Sequence, residues 1–245
     1  MNITKTSDFT PYLDSRHLLS LFTVLLLSCL ILAYPVSAQE MRTQDLGNAL
    51  VLISGSGSNI LTKQADDGQV LVVDGGLEAY AQQTLTTIAD ATDKGQISLL
   101  INSHWHPEQT GLNRILGNQG VTIFAHENTR QWLTTTITRP WENNTFAAFP
   151  ATAQPADTFY HYGELNHGDT TVQYGYLRQS HTDGDMYVYF PDENVLHGGG
   201  VLANDGWPLM DWWTGGWIGG LVDGLEVLLE IANDDTIIGP ANGPL

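Results

Sequence analysis

The chain has 245 residues, 42% of them hydrophobic, with 25 glycines and a formal net charge of −18. This composition is typical of a globular, loop-containing α/β protein and excludes a disordered chain. Because nucleic acids and many lipid head groups are anionic, the negative charge argues against both as partners.

The N-terminus has the pattern of a secretory leader. Leu18 to Tyr34 is almost continuously apolar, Lys5 and Arg16 precede it, and small residues lead up to Ala38. We therefore predict a signal peptide over residues 1–38 that is cleaved after Ala38. An uncleaved membrane anchor is an alternative, because the apolar run is at the short limit of a membrane span.

The single cysteine, Cys29, lies within this leader, which leaves lipidation there as a second alternative. The predicted mature domain, residues 39–245, has no cysteine, so disulfides and thiolate metal ligands are excluded. We expect it to be exported to a bacterial periplasm or secreted, with no stable membrane span after leader cleavage. A metal in this domain would need histidine, carboxylate or amide ligands.

Strand-like and helix-like patterns alternate along the predicted mature domain. Short apolar runs bounded by glycine, aspartate or proline predict strands, and apolar residues at helical spacing predict helices. The turn at 66–68 (Asp-Asp-Gly) predicts a hairpin. In chain order, we predict strands at 50–53, 59–62 and 70–73, a helix at 77–91, a strand at 97–101, a helix at 107–116, a strand at 121–124, a helix at 127–134, an irregular excursion over 138–157, strands at 171–177, 186–190 and 194–197, a helix at 217–232, and a strand at 236–238.

The strand predicted at 97–101 leads directly into residues 104–109, His-Trp-His-Pro-Glu-Gln. In an extended backbone, residues i and i+2 point the same way, so His104 and His106 would project into one pocket. Neutral imidazole is the commonest side-chain metal ligand. The motif therefore predicts a metal site after this strand.

This motif resembles the H-x-H-x-D-H signature of the metallo-β-lactamase superfamily. Residues 73–76 (VDGG) resemble the family's Val-Asp-x-Gly turn, and residues 181–185 (HTDGD) resemble its H-T-x-G-D segment. The resemblance covers roughly residues 50–245. It implies an α/β (α+β) fold, a four-layer αββα sandwich of two mixed β-sheets flanked by helices.

The resemblance also implies a site in which His104, His106 and His181 hold one zinc ion per chain. Three imidazoles leave an open position where zinc can activate water. Glu108, which stands where the family has aspartate, is the candidate catalytic residue. It could orient water, accept a proton or join the ligands, and these roles stay open. Asp74 is a candidate to orient the histidines.

A second metal would find an altered site in this chain. Gln109, Gly200 and Asn242 stand where two-metal members of the family carry ligands, and they are interpreted as substrate-binding or altered second-metal positions. Asp185 is a further candidate to orient the histidines. The chain ends soon after residue 242, where the family continues with a helix, so a C-terminally truncated domain is an alternative.

These observations lead to an exported metal-dependent hydrolase that acts on an ester, amide or thioester of a small-molecule substrate. The alternative is a catalytically impaired binding or accessory protein of the same fold. Three other histidines lack neighbouring residues that could complete a metal site and are interpreted as surface or loop histidines: His126, His161 and His167. The tryptophans at 207–217 either line the mouth of a pocket or pack in the core.

Overall fold

The computed structural model of the chain describes residues 40–245, so the leader and the alternatives at Cys29 lie outside the described residues. The described part contains fourteen strands and five α-helices. The strands are β1 (Arg42–Asp45), β2 (Leu50–Ser54), β3 (Ile60–Gln64), β4 (Gln69–Val73), β5 (Gln96–Asn102), β6 (Thr122–His126), β7 (Ile137–Arg139), β8 (Asn144–Phe146), β9 (Asp157–Phe159), β10 (Tyr162–His167), β11 (Thr170–Tyr176), β12 (Met186–Phe190), β13 (Val195–Ala203) and β14 (Ile237–Asn242). The helices are α1 (Ala81–Ala91), α2 (Pro107–Thr110), α3 (Asn113–Asn118), α4 (Glu127–Leu133) and α5 (Ile218–Ile231).

Two mixed sheets form the centre of residues 40–245. The seven-stranded sheet has the order β1-β2-β3-β4-β5-β6-β9, in which the first four strands are antiparallel and the others join in parallel. The five-stranded sheet has the order β10-β11-β12-β13-β14, and only its last pair is parallel. β7 and β8 form a separate hairpin.

Three apolar clusters hold four layers together. One lies between the sheets, where Leu71 and Ile101 of the larger sheet pack in the same cluster as Val188 and Phe190 of the smaller one. A second cluster joins the outer face of the larger sheet to α1 and α3, and a third joins the smaller sheet to α5. The predicted αββα sandwich is confirmed. Each sheet buries both faces because it packs on its partner and on helices.

Most predicted elements are present, but the helix predicted at 107–116 is broken into α2 and α3. Gly111 N donates to Gly76 O at 2.9 Å, and a Cβ at Gly111 would overlap the backbone of residues 76–78. The chain thus passes too close to the turn after β4 for one continuous helix. β10 was not predicted from the sequence, because Tyr162–His167 is largely exposed and lacks an apolar run.

The excursion over residues 138–157 is also more ordered than predicted, since it includes the β7–β8 hairpin. Among residues 40–245, no helix combines the length and apolar character needed to cross a membrane.

Candidate metal centre

Three histidine nitrogens converge at one end of the two sheets. His104 and His106 lie in the loop between β5 and α2, and His181 lies in the loop between β11 and β12. His181 Nε2 is 3.1 Å from His104 Nε2 and 2.9 Å from His106 Nδ1. All three side chains are buried. The folded chain thus brings together residues that are 75 or more positions apart in the sequence.

The other nitrogen of each imidazole has its own partner. His104 Nδ1 is 3.1 Å from Ser103 Oγ, His106 Nε2 is 3.0 Å from the Asp211 carboxylate, and His181 Nδ1 contacts the Leu209 carbonyl. A carboxylate or carbonyl accepts only, so a neutral ring carries its proton on Nε2 at His106 and on Nδ1 at His181. The converging nitrogens are then unprotonated and present lone pairs to the same point.

A buried hydrogen-bond chain supports His104. Ser103 Oγ donates to Asp74 Oδ2 at 2.8 Å, which leaves the Ser103 oxygen free to accept from His104 Nδ1. Asp74 also accepts from Ser103 N at 2.8 Å and from His197 Nε2 at 3.0 Å. Asp74 therefore orients His104 through Ser103, and His197 helps to hold this carboxylate.

Asp211 is the main functional residue that sequence reasoning missed. Its carboxylate accepts from His106 Nε2, from Thr214 Oγ1 at 2.6 Å and from the Arg139 guanidinium. Trp105, between the two motif histidines, donates from Nε1 to Thr214 Oγ1 at 3.0 Å. Asp211 lies in the tryptophan-rich segment, but nothing in the sequence pairs it with a histidine 105 positions earlier.

Burial and neighbouring charges shift the protonation of the site. Burial first, and then the nearby His181 and His106 rings, hold the pKa of His104 well below its ordinary value. Burial and the charge of His106 lower the pKa of His181 to about 4. Burial raises the pKa of Asp211, but the hydrogen bonds from His106 and Thr214 outweigh it and lower that pKa to about 2. The rings of His104 and His181 are therefore neutral near neutral pH, and the Asp211 carboxylate is ionised.

This donor set fits a zinc ion. Tetrahedral zinc with Zn–N bonds of about 2.0–2.1 Å would separate its nitrogen ligands by about 3.3 Å. The ligand atoms of His104, His106 and His181 all lie within 4.8 Å of one another. Three inward lone pairs repel one another unless a cation lies between them, and outer hydrogen bonds of the kind seen here hold metal-binding histidines in position.

Within residues 40–245, Glu108 and Gln109, which follow the histidines in the motif, lack the hydrogen-bond partners that hold the histidine rings. Glu108 Oε1 is 3.9 Å from His106 Nδ1, and about a third of the Glu108 side chain is exposed. Gln109 is 1% exposed, yet neither its Oε1 nor its Nε2 has a hydrogen-bond partner among the described residues. Both residues line a cavity of about 170 Å³ with His104 and His181. Glu108 is thus within reach of a molecule bound there.

Gly200 and Asn242 line the same cavity. A Cβ added at Gly200 would overlap the His181 ring and come within 2.7 Å of its Nε2. A carboxylate at position 200 would therefore displace a histidine of the first site. Asn242, at the end of β14, accepts a backbone hydrogen bond from Asn204 at 3.0 Å.

Asp185 lies behind the loop that carries His181. Its carboxylate accepts from Thr182 N at 2.7 Å and from Thr182 Oγ1 at 2.8 Å. Burial raises the pKa of Asp185 to about 8, despite these hydrogen bonds. Its carboxylate thus supports the turn after His181 and makes no hydrogen bond to a side-chain nitrogen of the three histidines.

Two histidines interpreted as surface or loop residues are buried instead. His126 accepts from Asn128 N at the start of α4 and stacks on Tyr176 with 3.9 Å between ring centres. His167 Nε2 is 2.7 Å from Ser98 Oγ. The interpretation of His126 and His167 as surface or loop histidines was wrong, because they lie at the ends of β6 and β10 and both are buried.

The surroundings of the site are rich in aromatic side chains. Trp207, which is 97% exposed, lines the cavity mouth with Pro208 and Leu209. Trp212 and Trp213 cluster with Trp141 outside the cavity. A larger apolar cavity of about 320 Å³ is lined by Trp105 but by none of the three histidines.

The chain matches the family model described as the metallo-beta-lactamase superfamily over residues 55–236. The chain belongs to the metallo-beta-lactamase superfamily. A comparison with curated proteins found no match.

Solved structures of the superfamily share the fold. The DIM-1 metallo-beta-lactamase is 17% identical with a TM-score of 0.65, and the match covers 84% of this chain and 90% of that one. A metallo-beta-lactamase from Pontibacter korlensis is 17% identical with a TM-score of 0.66, covering 84% and 92%. The metallo-beta-lactamase IND-7 is 15% identical with a TM-score of 0.67, covering 84% and 92%. At identities of 15–17%, these solved structures show that the chain shares their fold and nothing more specific.

Proposed function

We propose that the protein is an exported metal-dependent hydrolase that uses one zinc ion on an ester, amide or thioester. The observation that carries this proposal is the convergence of His104, His106 and His181, each with its second nitrogen hydrogen-bonded. When bound, zinc supplies a Lewis acid that activates water and polarises a carbonyl group.

The chain's own groups have distinct roles in this proposal. The histidines hold the metal, and Asp74, Ser103 and Asp211 hold the rings in their metal-binding orientation. Glu108, with a carboxylate near His106 Nδ1, orients a water molecule and accepts its proton. The small cavity favours a small-molecule substrate, and the −18 net charge disfavours nucleic acid. Export rests on the leader pattern at residues 1–38.

The second candidate is a binding or accessory protein with impaired catalysis. Gln109, Gly200 and Asn242 favour it, because none of them supplies the ligand of a two-metal member. In this case the histidines would still hold a metal, but turnover would be absent.

Elemental analysis and an activity comparison test the proposal. We expect about one zinc per purified mature chain, and turnover on a panel of ester, thioester, amide and β-lactam substrates that is lost in His104→Ala. The matched control is His161→Ala, which removes a histidine outside the centre. Two tightly bound zinc ions would contradict the one-metal site. Zinc binding without His104-dependent turnover on any substrate would favour the binding protein.

A further inference from the structure

The Gln109 side chain is a buried carboxamide that makes no hydrogen bond to another described residue. Its residue is 1% exposed, and both the amide oxygen and the amide nitrogen lack hydrogen-bond partners among the described residues. The backbone carbonyl of Gln109 is used elsewhere, since it accepts from Asn102 Nδ2 at 3.1 Å. Leaving a buried carboxamide unpaired is costly, so the arrangement indicates a partner that arrives from outside.

The cavity that Gln109 lines restricts the chemistry of that partner. Among residues 40–245, its wall contains the acidic residues Glu108 and Asp205 but no lysine or arginine. Asn242, a second carboxamide, also lines the cavity. The volume of about 170 Å³ admits a small molecule only. A ligand that both donates and accepts hydrogen bonds therefore suits this wall, because both polar atoms of the Gln109 side chain need a partner.

The protein contains an internal example of the pairing that Gln109 needs. Asn102 Nδ2 donates to Asn113 Oδ1 at 3.0 Å, and Asn113 Nδ2 donates back to Asn102 Oδ1 at 2.7 Å. Both asparagines are fully buried, a few residues from Gln109. A carboxamide satisfies another carboxamide because each group offers one donor and one acceptor.

We propose that the Gln109 carboxamide forms a recognition subsite for ligands that present an amide N–H on the same side as the carbonyl oxygen, and so selects primary amides. In this subsite Gln109 Nε2 donates to the ligand carbonyl, and Gln109 Oε1 accepts from the ligand N–H. An ester, a thioester or an amide without an N–H leaves Gln109 Oε1 buried and unpaired. The subsite deepens the proposed hydrolase function and rests on it for turnover, but binding can be measured without turnover.

The test is equilibrium binding of three matched probes to the zinc-loaded full chain: benzamide, N,N-dimethylbenzamide and methyl benzoate. Their aromatic part is the same, so differences in affinity report the group that meets Gln109. We expect benzamide to bind about tenfold more tightly than either other probe. Dissociation constants from ligand-observed NMR titration provide the measurement.

The variant Gln109→Met keeps a side chain of similar length and removes both hydrogen-bonding atoms. We expect it to bind the three probes with dissociation constants within about threefold of one another. The control is Gln82→Met on the exposed face of α1, which should keep the preference for benzamide. Zinc content is measured for each variant, so that a lost metal is not mistaken for a lost subsite.

Equal affinities of wild type for the three probes, no measurable binding of benzamide, or a preference that survives in Gln109→Met would each overturn the subsite. These binding results test the subsite and leave the hydrolase proposal to be tested by turnover. If the preference for benzamide is present but turnover is absent, only the hydrolase proposal is overturned. If the three probes bind equally but turnover depends on His104, only the subsite is overturned.

Discussion

The histidine half of the cavity (His104, His106 and His181) and the amide half (Glu108, Gln109, Gly200 and Asn242) face the same space but are supported very differently. Every imidazole in the first half has an outer hydrogen-bond partner. In the second half, the side-chain amide of Gln109 has no hydrogen-bond partner among the described residues, and Gly200 lies against the His181 ring without room for a side chain.

The two halves thus differ in packing as well as in residue type. A Cβ at position 200 would overlap the His181 ring, so the close-packed interior has no room there for a carboxylate side chain. The following predictions test how far the two halves are independent.

The largest effect should come from Asp211→Ala. This change removes the acceptor of His106 and leaves to the buried Arg139 a longer contact of 3.5 Å with the carboxylate of the partly exposed Glu142, so we expect a loss of about 3 kcal/mol in the free energy of unfolding. Zinc affinity should fall about 10- to 100-fold. Urea unfolding and competitive zinc titration provide the measurements. Asp223→Ala, at an exposed position of α5, is the control. Unchanged zinc affinity in Asp211→Ala would show that His106 needs no outer partner.

Gly200→Ala should weaken the histidine half from the other side. The added methyl group overlaps the His181 ring, and overpacking of this kind costs about 1–3 kcal/mol. Because the ring must move away from the metal, we expect zinc affinity to fall about 10- to 100-fold. The matched control is Gly206→Ala, where nothing lies within 4 Å of the added Cβ. Equal zinc affinities in the two variants would mean that the halves are mechanically independent.

A smaller effect is expected at Glu127, away from the cavity. The hydrogen bond from Arg130 is the largest effect on Glu127 and lowers its pKa. Burial raises this pKa by less, so the pKa falls from 4.5 to about 2. Since the folded-state pKa is the lower one, the ionised carboxylate stabilises the fold above about pH 4.5. This stabilisation is lost as the pH falls toward 2.

Glu127→Gln should therefore reduce stability at pH 6 by less than about 1 kcal/mol, because Arg130 is partly exposed, and the difference from wild type should shrink toward pH 3. Urea midpoints at pH 6 and pH 3 provide the comparison, with the exposed Glu226→Gln as control. A difference that grows on acidification would contradict the sign. Zinc content should not change, which sets the remote pair apart from Asp211.

The smallest change is expected from Gln109→His. It restores a histidine of the two-metal pattern, but Gly200 and Asn242 still supply no charged or imidazole ligand. We therefore expect zinc content to stay near one ion per chain by elemental analysis. A rise to two ions would show that residue 109 alone decides the number of metals.

Much of the fold could be predicted from local patterns. Strands such as β2, β4 and β12 are short apolar runs bounded by turn residues. Helices α1 and α5 have apolar residues at helical spacing. In both cases the local order of apolar and polar residues predicts which faces are buried. β10 could not be predicted in this way, because its exposed residues pair through the backbone with β11. The break between α2 and α3 depends on contact between Gly111 and the turn at Gly76.

The sequence by itself determined most of the strands and the pairing of His104 with His106, because strand periodicity and the His-x-His spacing are local properties of the chain. The αββα class and the third histidine, His181, came from the resemblance to the metallo-β-lactamase superfamily. Only the tertiary structure decided that Asp211 and Arg139 support His106 and that Ser103 links His104 to Asp74. It also decided that the side-chain amide of Gln109 lies buried without a hydrogen-bond partner among residues 40–245. These contacts join distant segments, and no local pattern specifies them. Hydrogen-bond pairing in a buried site depends on distances that exist only after the sheets and loops have packed.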